Sequence, residues 1–285
     1  MRRSIIVLLV MMVPVLAGAE ELTGTLRKIN DTGVIRLGYH EEAEPFSFVN
    51  PQGTPVGYSL DLCRRVVNAT KQRLGLPDLK TEFVLVNYEN RFDAVESGKV
   101  DIECGTSTMT LSRMQRVDFS LMTFVTGGGL VSLSRAPLSK IENAAGRSVA
   151  VIKGATAETK LKAYLQSKSI DADIVTVKNG GEGMQRLIDG DVDAFANDQA
   201  TLIGQIMRTR MAGEFALSQD LFSFEPYGLV MRRNDSDFRL VVNSELARVY
   251  RSGEVQRLFG KWFGRVGIEP SEVLVAMYTL QSLPE

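Results

Sequence analysis

One order of elements occurs twice along this chain, and it constrains the fold more than any single motif. Residues 33–38 read as a strand. Residues 60–74 read as a helix with Leu62, Val66, Val67 and Ala69 at helical spacing, and 81–86 as a second strand. A helix opened by Asn87 ends at Gly98, and a short β-branched strand follows over 99–102. The second half repeats the series as strand 147–152, helix 157–167, strand 174–177, helix 182–189 closed by Gly190, and strand 192–196. The last strand of each half is entered by a similar tetrad, Gly98-Lys99-Val100-Asp101 and Gly190-Asp191-Val192-Asp193. Strands that alternate with helices imply mainly parallel sheets with helices on their faces. Two α/β lobes of like architecture are therefore expected. Residues 39–58, with Pro45, Pro51, Gly53, Pro55 and Gly57, read as loop or hairpin, and Ser59 as the cap of the helix that follows.

Residues 1–19 have the form of an export signal. Arg2 and Arg3 precede an apolar run over 5–17, and Ala17-Gly18-Ala19 supplies a small-residue cleavage site. No Cys stands at that site to carry a lipid, so a soluble periplasmic form is expected. The chain carries 33 basic and 34 acidic residues, and losing Arg2 and Arg3 leaves it slightly acidic. That balance gives no case for nucleic acid or an anionic membrane as partner. Cys63, on a helix, and Cys104, at a strand end, fit either a disulfide or two buried thiols; their Cα separation decides.

The stretch from Glu103 to Arg113 carries the clearest chemistry. Gly105 permits close backbone approach, and the hydroxyls of Thr106, Ser107 and Thr108 follow it. Thr110 suits the cap of a turn bearing Arg113. Hydroxyls, backbone N–H groups and a guanidinium fork at a strand's end form a receiver for a carboxylate. The alternative is a polar surface loop whose Arg pairs with a nearby Asp.

After the second lobe the chain reads as a strand over 227–232 and two helices over 237–251 and 254–263. If these helices return to the first lobe, the chain crosses between lobes near 125–129 and 224–227. Gly127-Gly128-Gly129 suits a hinge there.

Taken together, Gly57-Tyr58-Ser59-Leu60-Asp61-Leu62, Glu103-Cys104-Gly105-Thr106-Ser107-Thr108 with Arg113 downstream, Gly154-Ala155-Thr156-Ala157-Glu158 and Lys261-Trp262-Phe263 resemble family 3 periplasmic solute-binding proteins. These are receptors of polar amino-acid ABC transporters, and Asn90-Arg91 brings the chain nearest the glutamate/aspartate-binding branch. The resemblance implies the two-lobe type II periplasmic binding fold, with lobe 1 formed by 20–126 and 228–285 and lobe 2 by 127–227. It implies a monomer that binds a free amino acid and docks on a membrane permease, with no cofactor. Arg113 would hold the α-carboxylate, helped by Thr106 and Thr108. Asp198 would take the α-ammonium, and the Ala155-Thr156 turn would offer backbone N–H to the carboxylate. Phe46 would give an apolar wall, and Arg91 would face the ligand side chain. Asp198 and Thr156 would otherwise serve as helix caps, and Phe46 as ordinary core.

Two departures bear on the ligand. Where that branch has a second Arg after the first strand, this chain has His40, and a His of the second lobe is replaced by Gly180. Arg91 remains to meet a side-chain carboxylate, assisted by His40. Glutamate or aspartate is the first expectation, glutamine or asparagine the second. A dehydratase-type enzyme on the same fold and a sensor module are the other classes. The sole His has no visible Ser–Asp partner, and one His with two Cys does not make a zinc site.

Overall fold

The computed structural model describes residues 21–264 and 268–284; the export signal expected at 1–19 lies outside the described residues. In chain order the first lobe opens with α1 (Gly24–Thr32), β1 (Val34–Tyr39) and the short strands β2 (Glu42–Ala43), β3 (Ser47–Val49) and β4 (Pro55–Val56). It continues through α2 (Tyr58–Leu74), β5 (Lys80–Leu85), α3 (Arg91–Glu96), β6 (Ile102–Glu103) and β7 (Val117–Thr126). The second lobe holds β8 (Gly128–Leu133), β9 (Ser148–Ile152), α4 (Thr156–Ser167), β10 (Asp173–Val177), α5 (Gly180–Asp189), β11 (Ala194–Asp198), α6 (Gln199–Thr209) and β12 (Phe215–Leu217). The chain then returns as β13 (Glu225–Arg232), α7 (Ser236–Arg251), α8 (Glu254–Trp262) and α9 (Glu272–Leu280).

The two main sheets have matching plans, β5-β1-β6-β13-β7 and β10-β9-β11-β8-β12. In each, four strands run the same way and the fourth in order, β13 or β8, runs against them. This is the repeat read from the sequence, with one substantial addition. The strand β7 runs almost directly into β8 and so carries the chain from one lobe to the other. The second crossing ends at Glu225, which pairs with Thr126.

The glycines at the first crossing have a packing role rather than an unusual backbone. A Cβ on Gly127 would stand 2.6 Å from both Leu221 Cδ1 and Ser223 O, and one on Gly128 would enter the Phe222 ring. Their φ values are not left-handed. Gly190, by contrast, ends α5 in the left-handed region at φ 82°, as its position after the helix predicts.

Each lobe has one main core beneath its sheet, and a smaller cluster of Val95, Val100, Val117 and Val230 adds to the first. The main core of the first lobe is aromatic: Phe46, Tyr58, Phe124, Tyr227 and Phe263 pack edge to face or stacked, with Phe46 and Phe124 centroids 4.8 Å apart. That of the second lobe is mainly aliphatic, with Val149, Val151, Leu161 and Leu187 around Phe195. The helices α7 and α8 pack back on α2, so the tail rejoins the first lobe. Cys63 and Cys104 are joined in a disulfide with Cα atoms 6.2 Å apart, and both are fully buried.

Candidate functional site

The sheet ends meet across the cleft, and the loop from Glu103 to Arg113 lies between them. Its first part is held from both sides. The disulfide ties Cys104 to α2, and the Ser59 hydroxyl donates to Gly105 O at 2.7 Å. Ser59 thus lies inside the first turn of α2, with Gly57 in the cap position expected of Ser59. A Cβ on Gly105 would strike Glu103 and lie 2.5 Å from His40 Cδ2. Thr106, Ser107 and Thr108 are all buried, and the loop leans on β13 through Gly228 N–H to Ser107 O and Met109 N–H to Pro226 O.

Arg113 sits on the turn read from the sequence: its backbone N–H donates to Thr110 Oγ1 at 3.2 Å. Its Nη1 donates to Thr108 O at 2.8 Å, and its guanidinium lies 5.2 Å from the Phe92 ring centroid. Burial, then the Arg91 charge, lower its pKa to about 10, so it stays cationic at neutral pH.

From the second lobe, Asp198 ends β11 and precedes α6, yet its side chain makes no cap bond. One oxygen, Oδ2, accepts the Tyr227 hydroxyl; the other, Oδ1, is buried with no hydrogen-bond partner among the described residues. Burial, then the Glu225 charge, raise its pKa to about 7. Thr156 opens α4 after Ala155, and its hydroxyl donates to Glu225 Oε2 at 2.7 Å rather than capping its own helix. Thr106 Oγ1 lies 3.3 Å from the Tyr88 hydroxyl.

Arg91 is 2% exposed. Its Nε donates to Ser107 Oγ at 3.0 Å, Nη1 to Tyr88 O, and Nη2 to Gly154 O of the second lobe at 3.5 Å. Phe92 and Tyr88 lie 4.4 and 5.2 Å from it. Burial lowers its pKa, partly offset by Glu103. His40 is 3% exposed, and its Nε2 lies 2.8 Å from Glu103 Oε1. Phe46 does not line the site: it is fully buried in the aromatic core, against Tyr58, Phe124, Tyr227 and Phe263. Its place in the sequence, directly after Pro45, suits a wall residue, but the chain turns there and sends the ring inward.

The structure thus brings Arg113, Thr106, Thr108, Asp198, Thr156, Ala155, Arg91 and His40 to one cleft and withdraws Phe46. It adds Glu225, Tyr227, Tyr88 and Glu103. Glu225 lies within the second crossing read from sequence, 224–227, which was the available signal for it.

Residues 35–265 match the family model described as bacterial extracellular solute-binding proteins, family 3. The chain belongs to that family. Among family 3 relatives it is 38% identical over 246 residues to the L-glutamate/L-aspartate-binding protein of Pseudomonas aeruginosa, spanning 86% of this chain and 82% of that one. It is 31% identical over 239 residues to the glutamate/aspartate import solute-binding protein of Escherichia coli K12, spanning 84% and 79%. Among solved structures, the solute receptor for L-cysteine of Neisseria gonorrhoeae superposes with a TM-score of 0.75 at 26% identity, covering 87% of this chain and 98% of that one. An ancestral arginine-binding protein bound to arginine gives 0.72 at 27% identity, covering 81% and 98%. These neighbours share the two-lobe type II periplasmic binding fold.

Proposed function

We propose that this family 3 protein is the periplasmic receptor of an ABC importer and captures a polar or acidic L-amino acid, glutamate or aspartate before glutamine or asparagine. The observation that carries the reading is the pairing of opposite charges across the cleft. Arg113 on the first lobe matches an α-carboxylate, and Asp198 on the second, with Oδ1 unpartnered, matches an α-ammonium. Arg91 adds a buried cation for a side-chain carboxylate. The P. aeruginosa and E. coli relatives, named for glutamate and aspartate, support the same ligand class.

Capture proceeds by closure. The amino acid binds the first lobe through Arg113 and the Thr106–Thr108 loop. The second lobe swings about the crossings at 125–129 and 224–227, bringing Asp198 and the Ala155-Thr156 turn over the ligand and excluding water. A monomer in the closed form is what a permease would engage.

A calorimetric screen of the purified, exported form against all common L-amino acids tests this. Glutamate or aspartate should bind tightest, with one site per chain and no turnover of the ligand. Tightest binding of an apolar amino acid, or consumption of the ligand, would overturn it.

A further inference from the structure

We infer that Gly180, Gly181 and Gly204 form a seat on the second lobe for residues 42–45 of the first, and that this seat sets how tightly the closed form is held. The inference rests on the receptor reading above and concerns how the lobes are held together rather than a contact to the ligand.

Gly204 is unfavourable where it stands. Gly180 and Gly181 occupy the first turn of α5, and Gly204 lies in the interior of α6. Glycine at interior helical positions is less favourable than Ala by up to about 1 kcal/mol. None of the three has a left-handed φ, so backbone conformation does not require them. Space does. A Cβ on Gly204 would lie 2.6 Å from Glu44 O and 2.8 Å from Pro45 Cδ. One on Gly181 would strike the Glu42 carboxylate. One on Gly180 would strike the Gln205 side chain and lie 3.1 Å from Glu42 O. The hairpin of β2 therefore docks between α5 and α6 at backbone distance.

Arg208 stands one turn beyond Gly204 on the same helix. It reaches Glu44 Oε1 at 2.8 Å and Glu42 Oε1 at 3.6 Å, and Gln205 Nε2 lies 3.5 Å from Glu42 O. Among the described residues these groups share no hydrogen bond with Arg113, Thr108 or Asp198. Their contacts join one lobe to the other, so they stabilise only the closed form. Apparent affinity scales with the population of the binding-competent form. Filling the seat should therefore weaken binding without altering any ligand contact.

Gly204→Ala tests this. Alanine favours the helix, so the ligand-free variant should melt at the same temperature as wild type or higher. Glutamate affinity should fall by about ten- to hundredfold, as overpacking at a rigid backbone contact implies, chiefly through faster release. Arg208→Gln should weaken binding by about fivefold or less, because its head is half exposed. X-ray scattering should show Gly204→Ala more expanded than wild type at a glutamate concentration that compacts wild type. Affinity within twofold of wild type, or a clear fall in the ligand-free melting temperature, would overturn the seat. A wild type that binds no amino acid overturns the receptor reading instead. Joining Glu44→Cys to Arg208→Cys with a short thiol linker in the ligand-free protein then decides the seat: a link between them supports it and its absence overturns it.

Discussion

Thr108 Oγ1 on the first lobe and Thr156 Oγ1 on the second lie 3.1 Å apart, and both reach Glu225 Oε2, at 2.6 and 2.7 Å. Ser223 Oγ donates to the other oxygen of Glu225 at 2.6 Å. A carboxylate that accepts three hydroxyls is satisfied without a cation of its own. Glu225 therefore joins the lobes beside the site and leaves Arg113 available for a ligand carboxylate. Its charge also bears on Asp198, second only to burial in raising that group to about 7.

The raised Asp198 makes ligand binding pH-dependent. A carboxyl held above its ordinary value of 3.8 favours the protonated, ligand-free closed form. That contribution is fully present below the ordinary value and is lost as pH rises through about 7. An α-ammonium needs the ionised carboxylate, so binding below about 7 releases a proton. Affinity should rise by up to about tenfold per pH unit between pH 5 and 7 and then level off. Calorimetry in buffers of different ionisation enthalpy measures the released proton. Asp198→Asn should abolish both the release and the slope, and it should weaken α-amino acids more than their des-amino analogues. A wild-type affinity that is flat from pH 5 to 8 would remove Asp198 from the ammonium site.

Arg113→Ala should abolish measurable amino-acid binding and leave the fold intact. Losing one partner of a desolvated charge pair costs about 2–5 kcal/mol, roughly thirtyfold to several thousandfold in affinity. The side chain is only partly buried and rests on Phe92 and Thr108 O, so its loss opens no core cavity. Near-normal affinity in a variant with an unchanged melting temperature would show that Arg113 does not hold the ligand.

Reducing the Cys63–Cys104 bridge should destabilise the protein by about 2–4 kcal/mol, the usual effect of removing a constraint on the unfolded chain. The bridge spans 41 residues and ends beside Gly105 and Thr106, so ligand affinity should fall with it. Urea unfolding with and without reductant measures the first effect, and titration of the reduced protein the second. Identical midpoints would mean that the packing around α2 holds the loop unaided.

Local signals made most of the scaffold legible. Helical spacing, the glycine after α5 and the repeated order of strands each depend on neighbours in sequence, and the structure places those elements within a few residues of their expected ends. What was not legible depends on partners far along the chain. The strand β7 is recognised by its pairing with β13, more than 100 residues away in sequence, as the bond from Leu229 N–H to Ser120 Oγ illustrates with its separation of 109. The disulfide turns on a 6.2 Å Cα separation that no spacing reveals. Gly127 and Gly128 read as flexible but make room for Leu221 and Phe222. His40 reads as a loop residue until Glu103, 63 positions on, is found against it.

Arg91 should set the preference for an acidic side chain. Glu89, two positions before Arg91, is the nearest carboxylate in sequence and would leave the pocket neutral if it paired with Arg91. In the structure Glu89 instead pairs with Lys153 at 2.7 Å, and Glu103 is taken by His40. Among the described residues Arg91 has no carboxylate in direct contact; it donates to Ser107 Oγ and to the Tyr88 and Gly154 carbonyls. A buried cation with only neutral acceptors is unfavourable by several kcal/mol relative to one facing an anion. An acidic ligand supplies that anion once Arg113 and Asp198 have matched the amino-acid backbone. Arg91→Met should therefore lose glutamate affinity by about 2–5 kcal/mol and glutamine affinity by clearly less. Arg91→Lys, which keeps the charge without the fork, should fall between the two. Competition titrations with glutamate, aspartate, glutamine and leucine on each variant give the comparison. Equal losses for acidic and neutral ligands would assign Arg91 to holding the Ser107 hydroxyl and the Tyr88 and Gly154 carbonyls in place rather than to reading the side chain.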